Sequence, residues 1–90
     1  MLYYSSGGKV EPVSFKEAVL TGLPIDNGLF MPENIPTLSK DYIDTIRGKS
    51  LKEISFDISS LYLNDDISQS DLDRIISDAI NFDAPLVSID

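Results

Sequence analysis

Four serines stand where helices are expected to begin, and they divide the chain into short segments that leave no room for a long helix. Ser14 and Ser50 each precede a glutamate by three residues, which is the capping-box pattern of a helix N terminus. Ser39 and Ser68 precede apolar residues at helical spacing. The pattern predicts four short helices, each beginning directly after one of these serines.

Glycines and apolar stripes complete the predicted helices. Gly22, followed by Pro24, ends the first helix, and Gly48 ends the second. The third helix carries apolar residues on two sides, because Phe56 and Leu63 point away from its main stripe, and we expect it to be covered from two directions. The fourth helix has the clearest apolar stripe, formed by Leu72, Ile75, Ile76, Ala79 and Ile80.

Three short apolar runs separate or follow the helices and predict strands. Residues 2–4 precede a Ser/Gly turn, and residues 29–31 follow the turn signal Asp-Asn-Gly at 26–28. Residues 86–89, Leu-Val-Ser-Ile, follow a proline. Short helices with few strands predict an α+β fold, and ninety residues predict one small domain spanning residues 1–90.

Composition excludes several kinds of chemistry. The chain has no Cys and no His, so it has no thiolate nucleophile, no imidazole base and no Cys- or His-ligated metal site. Its net charge of −8 lies wholly within residues 53–90, where Arg74 is the only base. Nucleic acid and anionic membrane are poor partners for such a surface. We expect a solvated acidic face, with a basic protein partner as the alternative.

Motifs that could carry chemistry do not reach the required pattern. The turn at residues 5–9 ends in Gly-Gly-Lys but opens no helix, as a phosphate-binding loop must. A calcium loop beginning at Asp66 would need Gly and Glu where the chain has Asp71 and Ser77. No lysine has the apolar setting of a Schiff-base lysine. The sequence therefore predicts no catalytic, cofactor-binding or metal-binding residue in this chain.

The segment at residues 26–36 is the most constrained part of the sequence. A turn, an apolar triplet and two prolines follow one another there, and Gly28 is expected to supply a positive φ. One interpretation is a core strand entered by a tight turn. The other is a rim that faces another domain or an active site, formed by Asn27, Gly28, Leu29, Phe30, Met31 and Pro32.

The same segment carries a resemblance to a known family. In order and with matching spacing, the chain resembles the N-terminal domain of threonine synthase over nearly its whole length. Where many members of that family carry a larger polar or basic residue, this chain has Gly7. The segments that carry the resemblance are residues 3–6, 12–20, 22–23, 26–32, 35–36 and 82–86.

The resemblance implies a function that this chain does not perform alone. The family converts O-phospho-L-homoserine to L-threonine and phosphate with pyridoxal 5′-phosphate (PLP), on a catalytic part similar to the tryptophan synthase β-subunit. The lysine that binds PLP in that family lies beyond the segment matched here. We therefore expect a chain truncated before its catalytic domain, inactive alone, binding no PLP, with that catalytic domain as its partner.

A standalone acidic α+β module that binds another protein is the alternative. An excised domain should expose apolar surface where its partner was, and Phe56, Leu63 and residues 86–89 are the expected contributors. Such a surface also allows the isolated piece to self-associate. No targeting segment or apolar run of bilayer length is visible, so we expect a cytoplasmic protein.

Overall fold

A two-stranded sheet and four helices make up the fold, which confirms the predicted α+β class. The structure is a computed structural model, and it describes residues 1–89. A short 3-10 turn, Ile46–Gly48, extends the second helix. The elements in chain order are β1 (Tyr3–Ser5), α1 (Phe15–Thr21), β2 (Phe30–Pro32), α2 (Lys40–Thr45), α3 (Leu51–Leu63) and α4 (Gln69–Ala79).

All four predicted serine caps are confirmed. The hydroxyl of each serine accepts a hydrogen bond from the backbone N–H three residues ahead, at 3.0–3.2 Å. Only Ser50 forms the complete box, because the Glu53 carboxylate also accepts from the Ser50 N–H at 3.3 Å. At Ser14 the box is half formed: the hydroxyl caps Glu17, and no return bond from that glutamate is present in the described part of the chain.

The two predicted glycine stops behave differently. Gly22 ends α1 with a φ of 78°, and its N–H donates to the Ala18 carbonyl at 2.9 Å. A positive φ favours glycine, because glycine has no Cβ. Gly48 does not end α2 directly, because α2 already gives way to the 3-10 turn at Ile46.

β1 and β2 pair antiparallel, and β1 has a backbone partner on each of its two edges. Tyr3 lies opposite Pro32, and Ser5 lies opposite Phe30. On its other edge Tyr3 exchanges two backbone hydrogen bonds of 2.8 Å with Val13, just before α1. β1 is therefore held on both edges, and the pairing brings the start of α1 next to the sheet.

Few side chains are fully buried. Leu72 and Ile76 of α4 are 2% and 9% exposed, at the contact between α3 and α4. Ile75 is 44% exposed, so only part of the predicted stripe is in the core. Ala18 of α1 is buried, and the Phe15 ring lies 5.8 Å from the Tyr3 ring, which places α1 against one side of the sheet.

The predicted strand at residues 86–89 is wrong for this structure. Those residues have no regular secondary structure, and Leu86, Val87 and Ile89 are 104%, 78% and 96% exposed. A strand needs the hydrogen bonds of a neighbouring strand, and no residue among 1–89 supplies them here. Phe56 and Leu63 are half-buried, so they add less to the exposed apolar surface than predicted.

The fold leaves an unusually large surface open to solvent. Its accessible area is 6961 Å², whereas a self-contained protein of 9.9 kDa exposes about 5,200 Å². Its radius of gyration is 16.0 Å, against about 12 Å for a compact domain of this length. Much of the excess is apolar, because large hydrophobic residues of β1, α1, β2 and the last nine described residues are exposed.

Candidate functional site

A single carboxylate ties together the two loops at the end of the sheet. We call the loops at residues 5–9 and 24–29 the loop pair. Asp26 accepts hydrogen bonds from the Ser5 hydroxyl at 2.5 Å, the Gly28 N–H at 3.0 Å and the Lys9 N–H at 3.1 Å. These donors come from both loops, so the carboxylate fixes one loop against the other.

Two serines complete this network. Ser5 is 2% exposed, and its Oγ also accepts from the Gly7 N–H at 3.2 Å. The Ser6 Oγ accepts from the Leu29 N–H at 2.8 Å, while the Ser6 N–H donates to the Leu29 carbonyl at 2.9 Å. The buried polar groups of the loop pair are therefore satisfied within it, as buried polar groups must be for a stable fold.

The hydrogen bonds set the charge state of Asp26. Donation by the Ser5 hydroxyl, aided by the amides of Gly28 and Lys9, lowers the pKa of the Asp26 carboxyl below its usual value. The carboxylate is therefore ionised near neutral pH and acts only as an acceptor. Asp26 therefore has a structural role, because a carboxyl group that acts as a general acid needs a raised pKa.

The reason for the glycine at position 28 differs from the predicted one. Gly28 does not have a positive φ; Asn27 does, at 65°. A Cβ at Gly28 would lie 2.5 Å from the Ser5 Oγ and 2.6 Å from the Gly7 nitrogen, so close approach of the two loops excludes a side chain there. A Cβ at Gly7 would lie 2.5 Å from an Asp26 carboxylate oxygen, so a larger residue there would displace that carboxylate from its present hydrogen bonds.

The six predicted rim residues lie together, but their side chains divide between two sides of the sheet. Phe30 and Pro32 are half-buried on the side that faces α1. Leu29 and Met31 alternate with them along β2 and lie on the other side. Asn27 is exposed beyond the strand. The predicted rim is thus one continuous segment with an inner and an outer side.

The outer side of the sheet is apolar. Tyr4 lies directly opposite Met31, and the backbone bonds from Glu33 N–H to the Leu2 carbonyl and from Ser6 N–H to the Leu29 carbonyl, both 2.9 Å, extend the pairing at each end. Alternate residues of paired strands share a side. We call the apolar part of this side the outer face; its members are Leu2, Tyr4, Leu29 and Met31, which are 47%, 44%, 59% and 40% exposed. The polar side chains of Ser6 and Glu33 lie at its two ends.

A second polar cluster, which the sequence did not predict, joins α2 to α3. The Lys49 ammonium lies 2.8 Å from the Asp57 carboxylate and 5.2 Å from the centre of the Tyr42 ring. The Tyr42 hydroxyl donates to the same carboxylate at 3.1 Å. The three residues line a cavity of about 440 Å³. No cap, turn or stripe signal in the sequence marks this cluster, which forms where the chain passes from α2 into α3.

The charge states of this cluster favour a closed ion pair. The hydrogen bond with Asp57 raises the pKa of the Lys49 ammonium, and the same bond lowers the pKa of the Asp57 carboxyl. Desolvation and then the bond to Asp57 raise the pKa of the Tyr42 hydroxyl. Near neutral pH the lysine is therefore a cation, the tyrosine hydroxyl is neutral and the aspartate is an anion. Both donors are then bonded to the Asp57 carboxylate.

The lysines present do not fit PLP. A Schiff base to PLP needs a lysine whose amine is neutral and desolvated. Lys49 is the least exposed lysine and has the opposite setting, with a raised pKa and a carboxylate partner. The other lysines are exposed on the surface. Residues 1–89 also contain no cluster of three acidic side chains arranged to hold a metal ion.

Comparison with known proteins identifies the family. Residues 2–80 match the family described as Threonine synthase N terminus. The chain belongs to the threonine synthase N-terminus family. It is 41% identical over 75 residues to the threonine synthase of Schizosaccharomyces pombe, an alignment that covers 82% of this chain and 15% of the relative. It is 32% identical over 90 residues to the threonine synthase of Escherichia coli, covering 100% of this chain and 21% of the relative.

A solved structure extends this similarity to the fold. The crystal structure of threonine synthase from Escherichia coli superposes with a TM-score of 0.88 at 33% identity, over 98% of this chain and 21% of that one. The chain thus spans 15–21% of the length of the relatives described here. Both the loop pair and the outer face lie within the matched residues 2–80 of the threonine synthase N-terminus family. As for membrane association, no helix within residues 1–89 is long and apolar enough to cross a bilayer.

Proposed function

We propose that this chain is the N-terminal part of a threonine synthase that converts O-phospho-L-homoserine to L-threonine and phosphate with PLP in the cytoplasm. Family membership and the match to relatives named threonine synthase support the activity. The chain's own residues do not fit PLP, so we assign the cofactor and the chemical steps to the rest of the enzyme. The isolated ninety residues are then inactive.

The observation that carries this proposal is the uncovered surface of a chain that matches only part of its relatives. The accessible area of 6961 Å² exceeds the roughly 5,200 Å² of a self-contained protein of equal mass. Large hydrophobic side chains are exposed on β1, α1 and β2, and an exposed apolar patch is typical of an interaction surface. A domain that packs against a catalytic part of the same polypeptide accounts for both the large exposed surface and the small share of each relative that the chain matches.

Within this proposal the segment Asn27–Pro32 is a docking and positioning element. It begins in the loop pair, where Asp26 fixes its conformation, and it continues into β2. We assign it to the boundary with the catalytic part, near the substrate cleft. It would act by holding the two parts of the enzyme in register, with no proton transfer or covalent step of its own.

The alternative is a standalone acidic module that binds a basic protein. The concentration of the net charge of −8 in residues 53–90 favours it, because exposed Asp71, Asp73 and Asp78 lie along α4. This alternative leaves the apolar surface on β1, α1 and β2 without a role. It also predicts a ninety-residue protein that stays monomeric and carries out its function without a catalytic domain.

The deciding experiment measures phosphate release from O-phospho-L-homoserine by the full-length protein supplied with PLP. We expect phosphate and L-threonine in equal amounts from the full-length protein, and neither from residues 1–90 alone. No product from the PLP-loaded full-length protein would contradict the proposed activity. A natural reading frame that ends near Asp90 would contradict it equally and favour the acidic module.

A further inference from the structure

The outer face of the sheet is only about half covered in the described structure. The opposite side is occupied: Ser5 is buried, and Tyr3 packs on the Phe15 ring of α1 at 5.8 Å. The four outer-face residues are 40–59% exposed, so this side of the sheet can accept a further packing partner.

We propose that the outer face, with Leu29 and Met31 at its centre, is the surface on which the rest of the polypeptide docks. This inference rests on the proposed function, because it takes the remaining part of a threonine synthase as the occupant. It goes further by naming the surface and its chemistry. The docking partner presents an apolar, uncharged patch, and the acidic helix α4 stays in solvent.

The excess exposed area is larger than one interface between domains of ordinary size, and α1 and the exposed residues 82–89 contribute to it. The chain exposes about 1,700 Å² more than a self-contained protein of its mass. Interfaces between domains of one chain bury about 600–1,500 Å². The excess is thus large enough for a docking surface that includes the outer face. Relatives that continue well beyond the matched fifth of their length provide the chain that would cover it.

Charge also separates the outer face from the rest of the surface. Residues 1–52 contain six acids and six bases, so the half of the chain that carries the outer face is neutral. The nearest acid along β2 is Glu33, and its carboxylate is engaged by the Leu2 N–H at 2.8 Å at the edge of the face. Charged groups are depleted at the centre of interfaces because their desolvation is costly.

The loop pair holds the outer face ready for docking. The backbone N–H and carbonyl of Leu29 each form a hydrogen bond with Ser6, and Asp26 fixes the turn before Leu29. A surface that is already ordered loses little conformational entropy on association. The hydrogen bonds around Asp26 thus act on docking through Leu29, which makes Asp26 a positioning residue.

Oxidation of Met31 in the full-length protein tests the proposal directly. Hydrogen peroxide oxidises a methionine side chain according to its exposure. We expect Met31 in the native full-length protein to react at least about tenfold more slowly than in the same protein unfolded in urea. Peptide mass spectrometry separates Met31 from Met1 and the other methionines. A native rate within about threefold of the unfolded rate would overturn the proposal.

A matched pair of variants identifies the surface. Leu29→Lys places an ammonium in the apolar contact, and we expect it to raise the oxidation rate of Met31 at least about fivefold. Ile75→Lys makes a matched change at a side chain that is 44% exposed on α4, the helix left in solvent, and we expect it to leave that rate unchanged. Equal effects of the two variants, or none from Leu29→Lys, would overturn the assignment.

Two further readouts identify the occupant and separate this inference from the proposed function. Light scattering reports the oligomeric state. If Leu29→Lys converts an oligomer to monomers while exposing Met31, a second copy covers the face and the proposal fails. Phosphate release by the unchanged protein reports the activity alone. Protected Met31 without phosphate release would retain the docking surface and refute the threonine-forming reaction.

Discussion

The Ser5 hydroxyl donates a 2.5 Å hydrogen bond to the Asp26 carboxylate, across 21 residues of chain. The two residues lie in different loops, and each is tied to further backbone groups of the loop pair. The position of the rim segment therefore depends on one carboxylate and one hydroxyl. This pair makes the stability of the loop pair sensitive to pH and to small substitutions.

Replacing Asp26 with asparagine should lower stability at neutral pH and weaken its acid dependence. The pKa of Asp26 is lowered in the folded chain from a usual value of 3.8, so the folded state favours the ionised carboxylate. Its contribution is present above pH about 4 and is lost as the pH falls through the folded-state pKa. Urea midpoints at pH 7 and pH 3 measure both effects. A variant that loses as much stability between these values as the unchanged chain would contradict this assignment.

Adding one methyl group at Gly28 should destabilise the fold, while the same change at Gly48 should not. A Cβ at Gly28 meets Ser5 Oγ and Gly7 nitrogen at 2.5 and 2.6 Å. Gly48 has no atom within 4 Å of such a Cβ and no positive φ. We expect Gly28→Ala to lower the free energy of unfolding by more than about 1 kcal/mol, and Gly48→Ala to raise it by up to about 1 kcal/mol. Equal midpoints in urea for the two variants would rule out the close contact.

Truncating Leu72 should have the largest effect among the α4 substitutions. Its side chain is 2% exposed, so Leu72→Ala leaves a cavity and should lower the free energy of unfolding by about 2–4 kcal/mol. Ile75, one position off the buried stripe, is 44% exposed, and Ile75→Ala should cost less than about 1 kcal/mol. Thermal or urea unfolding compares the two. If Ile75→Ala costs more, α4 packs with a different face inward.

Removing the cap at Ser50 should weaken α3, and restoring an acceptor should recover it. Ser50 forms the only complete capping box among the described helices. Ser50→Ala loses the acceptor for the Glu53 N–H and should cost about 1 kcal/mol, whereas Ser50→Asp keeps an acceptor and should stay close to the unchanged chain. Circular dichroism during urea unfolding provides the measurement. An aspartate variant as weak as the alanine variant would argue against capping as the cause.

Local signals in the sequence predicted the helices well. The four caps, the stop at Gly22 and the two strands each depend on residues close together in the chain, and all were confirmed. The third predicted strand, at residues 86–89, failed because strand formation depends on a partner elsewhere in space. An apolar run shows that a segment favours burial but does not identify the surface that buries it.

The site could be predicted only in part for the same reason. Adjacent turn and strand signals marked Asn27–Pro32 as one unit, but the division of that unit into two sides needed the register with β1. Gly28 was explained by a positive φ when its cause is the approach of the loop at residues 5–9, which sequence spacing cannot show. Lys49 and Asp57 lie eight residues apart, before and within α3, and no cap, turn or stripe signal marks this spacing.

The open outer face also has a consequence for how such a chain is made. The alignment covers 21% of the Escherichia coli relative, which leaves roughly 340 residues outside the matched part. Their synthesis takes about 20–70 s at 5–20 residues per second. During that interval Leu29 and Met31 would stand in water on the nascent chain, available to any other apolar segment. The net charge of −8 favours solubility through this period. On the proposed docking, the acidic second half would limit aggregation until the partner surface has been synthesised.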